Sequence, residues 1–348
     1  MKRKPERFRA IEYVIFAAIT VAALCACICI GSVNIPLRDT VTVVWLAIKD
    51  LFTRGDVAMP EGLATAIILS VRLPRVLCVA LSGAALSLAG AAMQGLLKNP
   101  LADGSTLGVS SGASLGAVIA IAFGVVFPGV PYGGTMIMAI LFAFLSLVII
   151  LGLAYKLDYS LSTNTIILIG VIYSMFVSSA MNVIITFVPE KLQSITFWTM
   201  GSLQNSSYES AGILLVAMVI CGGIILLHAR ELNAFAVGED NARHVGVDVK
   251  RTKLIILITV SILIGVCVSI GGTISFVGLV TPHMVRMIVG PNHKRLLPAC
   301  VFGGAVFLLL ADLVARILLN PLELPIGVVT SLVGAVVFIF IFYRTRKG

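Results

Sequence analysis

The stretch RLPRVLCVALSGAALSLAGAAMQGLLKNPLADGSTLGVSSGASLG, Arg72 to Gly116, decides how the rest of the chain is read. Arg72 and Arg75 open it inside an otherwise apolar region, and charge in lipid is costly enough that both must face water or a partner. Gly83, Ser87, Ala91 and Gly95 recur at steps of four, as do Gly108, Gly112 and Gly116. Residues four apart share a helix face, so each series is a smooth stripe on which another helix packs closely. Asn99-Pro100 breaks the segment between the two. The expectation is a dense helical bundle.

Composition places that bundle in a membrane. Of 348 residues, 59% are hydrophobic and 12% charged, with a mean hydropathy of +1.08. This is too little polar surface to cover a soluble domain of that size. The net charge of +9 fits Lys- and Arg-rich cytoplasmic loops, and no basic run is long enough to form a nucleic-acid-binding face. The seven cysteines all lie in apolar runs and read as small buried hydrophobes. Cys25, Cys27 and Cys29 step by two, which sends their side chains to different helix faces, and no histidine accompanies them, so a metal site is unsupported.

Apolar runs of spanning length predict ten helices, near 11–31, 76–97, 107–126, 135–154, 164–188, 211–228, 254–270, 274–289, 297–318 and 325–343. The chain is therefore all-α and polytopic, a single transmembrane domain over 1–348. The apolar run 63–71 is too short to span alone and reads as an interfacial or re-entrant helix leading into the second span. With both termini cytoplasmic, only Arg38, Lys49, Arg54, Arg72, Arg75, Lys191 and Arg316 lie outside, and the other 18 of the 25 Lys and Arg lie inside. The positive-inside rule supports this orientation.

Two loops and one helix carry candidate function. The inner loop 229–253 has small residues at Ala236, Gly238, Ala242 and Gly246, which predict two short helices joined by a turn. It is either a solvated linker or a docking surface for a cytoplasmic partner. Trp198 and Tyr208, in the outer segment 189–210, suit a membrane interface. The fifth span places Ser174, Ser178, Asn182 and Thr186 on one face. That stripe either lines a water-filled pathway or hydrogen-bonds to neighbouring helices. Asp312 and Arg316 can pair along the ninth span, and His283 with Arg286 reads as a satisfied polar cluster and a snorkelling anchor. No G-x-x-x-x-G-K-[ST] stretch occurs, and no nucleophile, base and oxyanion set stands out.

The segments RLPR (72–75), GAALSLAGAAMQ, NPLAD (99–103), LGVSSGASLGA (107–117), GTISFVGLVTPHMVR (272–286), GPNHKRLLP (290–298), ADLVAR (311–316) and ELPIGVVTSLVGA (323–335) together resemble the FecCD-type permeases. These are membrane subunits of type II ABC importers for iron-siderophores, haem and cobalamin. The resemblance implies the type II ABC importer permease fold, with the second to fifth and seventh to tenth spans as two inverted halves. It implies a bacterial or archaeal cell membrane, a second permease subunit that is a copy or a paralogue, two ATP-binding subunits and an extracytoplasmic substrate-binding protein. ATP and Mg would sit on the partner ATPase, with no cofactor and no catalysis on this chain. It further implies that Arg72, Arg75 and Arg316 are outward-facing groups that dock the binding protein. Ala236, Gly238, Ala242 and Gly246 would belong to coupling helices, and the fifth span would form the gate. Two positions depart from the family's pattern: Gly104 after Asp103, and Val336 after Ala335, where proline is frequent. The rival reading is a secondary transporter driven by an ion gradient, which predicts an acidic residue at the centre of the pathway.

Overall fold

The computed structural model describes residues 9–53, 60, 62–104, 107–127, 133–159 and 161–347. Lys2, Arg3, Lys4, Arg7 and Arg54, used above for orientation, lie outside the described residues. The described chain is helical almost throughout: α1 (Ala10–Cys29), α2 (Leu37–Thr53), α3 (Leu63–Leu96), α4 (Val109–Phe123), α5 (Gly133–Leu157), α6 (Thr163–Phe187), α7 (Leu192–Thr199), α8 (Tyr208–Leu227), α9 (Ala229–Val237), α10 (Glu239–His244), α11 (Val249–Gly271), α12 (Val277–Val289), α13 (His293–Ile317) and α14 (Ile326–Lys347). Seven of these are long and apolar enough to cross a membrane, and three shorter apolar helices, α4, α12 and the first part of α14, complete the ten expected.

The small-residue stripes become the tightest contacts. Helix α3 packs most extensively on α13, and α4 on α5. A methyl group at Gly83 would overlap the carbonyl of Gly304, and one at Gly304 would overlap that of Gly83. Gly90 meets the backbone of Gly278 in the same way, and Gly116 that of Met138. Lipid tails are as apolar as leucine, so close van der Waals contact rather than solvent exclusion holds such helices together.

Two sequence expectations change, and the long connection between the first two spans, 32–70, gains a helix. The run 63–71 is not a separate interfacial helix: it continues through a π-helical turn, Ile67–Arg72, into the second span, and the continuous helix has 34 residues. At 1.5 Å per residue this is about 51 Å, well beyond a hydrocarbon core of ~30 Å, so its first turns extend past the core. The 32–70 connection contains α2, which exposes Leu37, Val41 and Trp45 on one stripe and buries Thr40 and Val43 on the other side. Of the cysteines, Cys25 is exposed and Cys29 half-buried, whereas the other five are buried.

Candidate functional site

Two breaks in the helical ladder meet at one place. Helix α3 stops before Asn99, and α4 begins after Gly108, whose φ is 69°. Helix α11 stops at Gly271, and α12 begins after Phe276, whose φ is 67°. A left-handed backbone costs a bulky residue such as phenylalanine free energy, and strain of this kind collects at functional positions. Helix α12 has 13 residues, about 20 Å, too short to cross alone. Unwound backbone at membrane depth is tolerated where it is buried in protein or lines a water-filled cavity.

Such a cavity is present, with a volume of about 340 Å³. Asp103 and Gly104 border it from the first break, Thr273 and Ser275 from the second, Ser110, Ser111 and Ser114 from α4, Ser174 and Ser178 from α6, and Thr199 from α7. Ser114 donates to the Ser110 carbonyl at 2.9 Å and Ser174 to that of Gly170 at 2.8 Å. Each hydroxyl spends its proton within its own helix and keeps its oxygen lone pairs to accept hydrogen bonds. The wall can solvate a polar solute. Gly104 is matched to its place, since a Cβ there would lie 2.7 Å from Ile264 Cδ1. Val336 is exposed.

The fifth-span stripe divides. Ser174 and Ser178 line the chamber, whereas Asn182 and Thr186 lie further along α6, exposed and outside it. Thr186 donates to the Asn182 carbonyl at 2.9 Å. Four residues of α6 are buried: Ile166, Ile169, Gly170 and Val177. Asp103 was missed as a chamber residue because it lies in a break, where no helical period places it.

Arg72, Arg75 and Arg316 gather at one end of the bundle, only 5, 6 and 2% exposed. Arg75 donates to Asp312 Oδ1 from Nε at 3.0 Å and from Nη2 at 2.9 Å, and pairs with Glu323 at 2.7 Å. Arg316 reaches Asp312 Oδ2 at 3.0 Å, the pairing its spacing predicted. Other donors reach the end of α1 and the turn after it: Arg72 bonds the carbonyls of Ile28, Cys29 and Val33, and Arg316 Nη1 those of Cys27 and Ile30. A helix C-terminus leaves carbonyls unsatisfied and carries partial negative charge, so guanidinium groups suit it. As placed, the three arginines turn inward and present no free guanidinium to the surface. Glu323 lies in the loop after α13. Burial would raise its carboxyl, but hydrogen bonds from Ser32, Arg75 and Gln204 outweigh this and hold it below the usual carboxylate range.

At the opposite end, the 229–253 loop forms the two short helices expected of it, α9 and α10, joined at Gly238 with φ 146°. Ala236 and Gly246 are exposed, Gly238 is half-buried and Ala242 is buried. Ala242 is thus a packing position, while Val237 and Val245 supply exposed apolar surface. Arg286 does not snorkel: it donates to Gln94 Oε1 at 3.2 Å, and Gln94 in turn donates to the Gly278 and Leu279 carbonyls. Lys253 is completely buried and pairs with Glu239 at 2.7 Å. Its burial was legible, because 253 lies three and four residues before Ile256 and Leu257 on the buried face of α11. Its partner was not.

Comparison with known proteins gives this arrangement relatives. The family profile described as the FecCD transport family matches residues 19–344. An uncharacterized ABC transporter permease protein, YvrB of Bacillus subtilis (strain 168), is 40% identical over 98% of this chain and 95% of its own length. The cobalamin import system permease protein BtuC of Halobacterium salinarum is 36% identical over 81% of this chain and 74% of its own. A solved structure described as an inward-facing conformation of a metal-chelate type ABC transporter superposes with a TM-score of 0.83 at 31% identity, covering 97% of this chain and 100% of the other. With its ten apolar helices, its paired breaks and its match from the first span to the last, the chain belongs to the FecCD transport family.

Proposed function

We propose that the chain is one of two permease subunits in an ATP-driven importer and that it moves its cargo by alternating access. The cargo class is a metal chelate or corrinoid: ferric siderophore, haem or cobalamin. This rests on relatives that include a cobalamin permease and a metal-chelate transporter. The observation that carries the mechanism is the hydroxyl-lined chamber between the two helix breaks, bordered by the polar part of α6. A wall of weak hydrogen-bonding groups lets a solute pass without holding it, so selectivity falls to an extracytoplasmic binding protein. ATP and Mg belong to two partner ATPase subunits, which α9 and α10 engage through Ala236, Gly238, Gly246 and their exposed valines, and both termini are cytoplasmic. Arg72, Arg75 and Arg316 serve docking from beneath the surface, by fixing the end of α1 and the Glu323 loop.

The test is purification of the tagged chain from its native membrane, with mass spectrometry of its companions and spectroscopy of any bound cargo. A co-purifying P-loop ATPase and a coloured or metal-bearing binding protein are the expected result. Recovery of the chain alone, with uptake driven by an ion gradient and indifferent to ATP, would overturn the reading in favour of secondary transport, with Asp103 as the chamber's acidic group.

A further inference from the structure

Helix α10 packs chiefly on α9 and on the start of α11, so its route to the chamber is narrow. Its first residue, Glu239, places Oε1 2.7 Å from Lys253 Nζ. The same ammonium donates to the Leu161 carbonyl at 2.8 Å, and Thr163 Oγ1 donates to the same carboxylate oxygen at 3.3 Å. Leu161 and Thr163 flank Ser162, the N-cap of α6. One ammonium and one carboxylate therefore join the inner helical loop to the root of the helix that borders the chamber.

Both sides of this contact carry backbone at positive φ. Gly238, with φ 146°, precedes Glu239, and Leu161 is held at φ 54° with its side chain fully buried. A β-region residue would be the relaxed choice for leucine, so the surroundings must impose the left-handed turn. The Lys253 ammonium supplies part of that constraint by bonding the Leu161 carbonyl. A fully buried charge paired with a single carboxylate is also a place where loss of one partner is felt strongly.

We infer that Lys253 and Glu239 are the positioning residues that transmit movement of α9 and α10 to α6. Lys253 holds the left-handed turn at Leu161 as the pivot. The inference rests on the proposal that α9 and α10 engage the ATPase, and it names the contact through which that engagement reaches the chamber.

Hydrogen–deuterium exchange of the full complex of this chain with its ATPase, compared without nucleotide and trapped with ATP and vanadate, tests it. In the wild type, trapping should change exchange in both 229–246 and 161–169. In Glu239→Ala the first change should persist while the second shrinks about fivefold or more, the scale of an ordinary allosteric coupling. Glu239→Gln, which keeps the hydrogen bonds but not the charge, should fall between and guards against a folding defect. Asp240→Ala should behave as wild type, since the Asp240 side chain is 89% exposed and its ion pair is with Arg243 at 3.7 Å, within α10 itself. An unchanged response at 161–169 in Glu239→Ala, with the response at 229–246 intact, overturns the link alone. No response at 229–246 in the wild type overturns the coupling role of α9 and α10 and the link with it.

Discussion

The two ends of the bundle handle buried charge differently. At the end the charge count places outside, three guanidinium groups meet two carboxylates and five backbone carbonyls, tying α1, α3, α13 and the Glu323 loop into one body. At the opposite end the buried charges stand in separate pairs: Arg295 with Glu12, and Lys253 with one carboxylate and one carbonyl, between two short helices and the root of α6. A network in which three guanidinium groups share two carboxylates and several carbonyls has many contacts to lose and resists displacement. A single pair beside a glycine turn and a left-handed leucine has fewer contacts to hold it in place, which suits it to the transmitted movement proposed above. The arginine network is thus built as a fixed bearing, and the Lys253–Glu239 pair as the joint proposed above.

The largest break in that comparison is Asp312→Ala. It strips the shared carboxylate from Arg75 and Arg316, and a buried ion pair that loses one partner costs about 3–5 kcal/mol. Thermal unfolding in detergent should fall sharply, and an unchanged midpoint would show that the outer network is not a bearing. Next comes Gly90→Val, which drives a branched side chain into the Gly278 backbone between α3 and α12. Overpacking of this kind costs about 1–3 kcal/mol, so the same assay should show a smaller loss, and wild-type stability would argue against the close crossing.

Ser178→Phe acts on function with little effect on the fold, since Ser178 is exposed to the chamber. Uptake by the reconstituted importer should drop about tenfold, equivalent to roughly 1.4 kcal/mol of barrier, while ATP hydrolysis continues; full uptake would remove the chamber from the pathway. Glu323→Gln is the mildest change. The Glu323 carboxyl is held below its ordinary value in the folded chain, so its stabilising contribution is complete above the unfolded pKa of about 4.3 and is lost as pH falls through the folded value. The wild type should lose more stability on acidification than the variant, and superimposable curves would mean that Glu323 adds nothing to the bearing.

Much of this architecture was legible along the chain. Ten spans follow from apolar runs, and the faces on which α3 and α4 are closely crossed follow from small residues at steps of four, though not the helices that cross them. The paired helices of the inner loop follow from the turn residue Gly238. Helix α2 escaped notice because its amphipathic pattern is too polar to register as a span. The continuation of 63–71 into the second span was hidden by Arg72, which reads as a helix boundary unless something neutralises it. The structure supplies the neutralising groups, the carbonyls of Ile28, Cys29 and Val33.

By itself, then, the sequence determined the membrane class, the number of spans, the stripes on which helices cross and the family. These depend on hydropathy and spacing, which are properties of neighbouring residues on one helix. Only the tertiary structure decided which charges face inward and what they hold. Arg75 and Asp312 stand 237 positions apart, and Lys253 and Leu161 stand 92 apart. Pairing over such distances is set by how whole helices pack, and no local pattern in the chain encodes it.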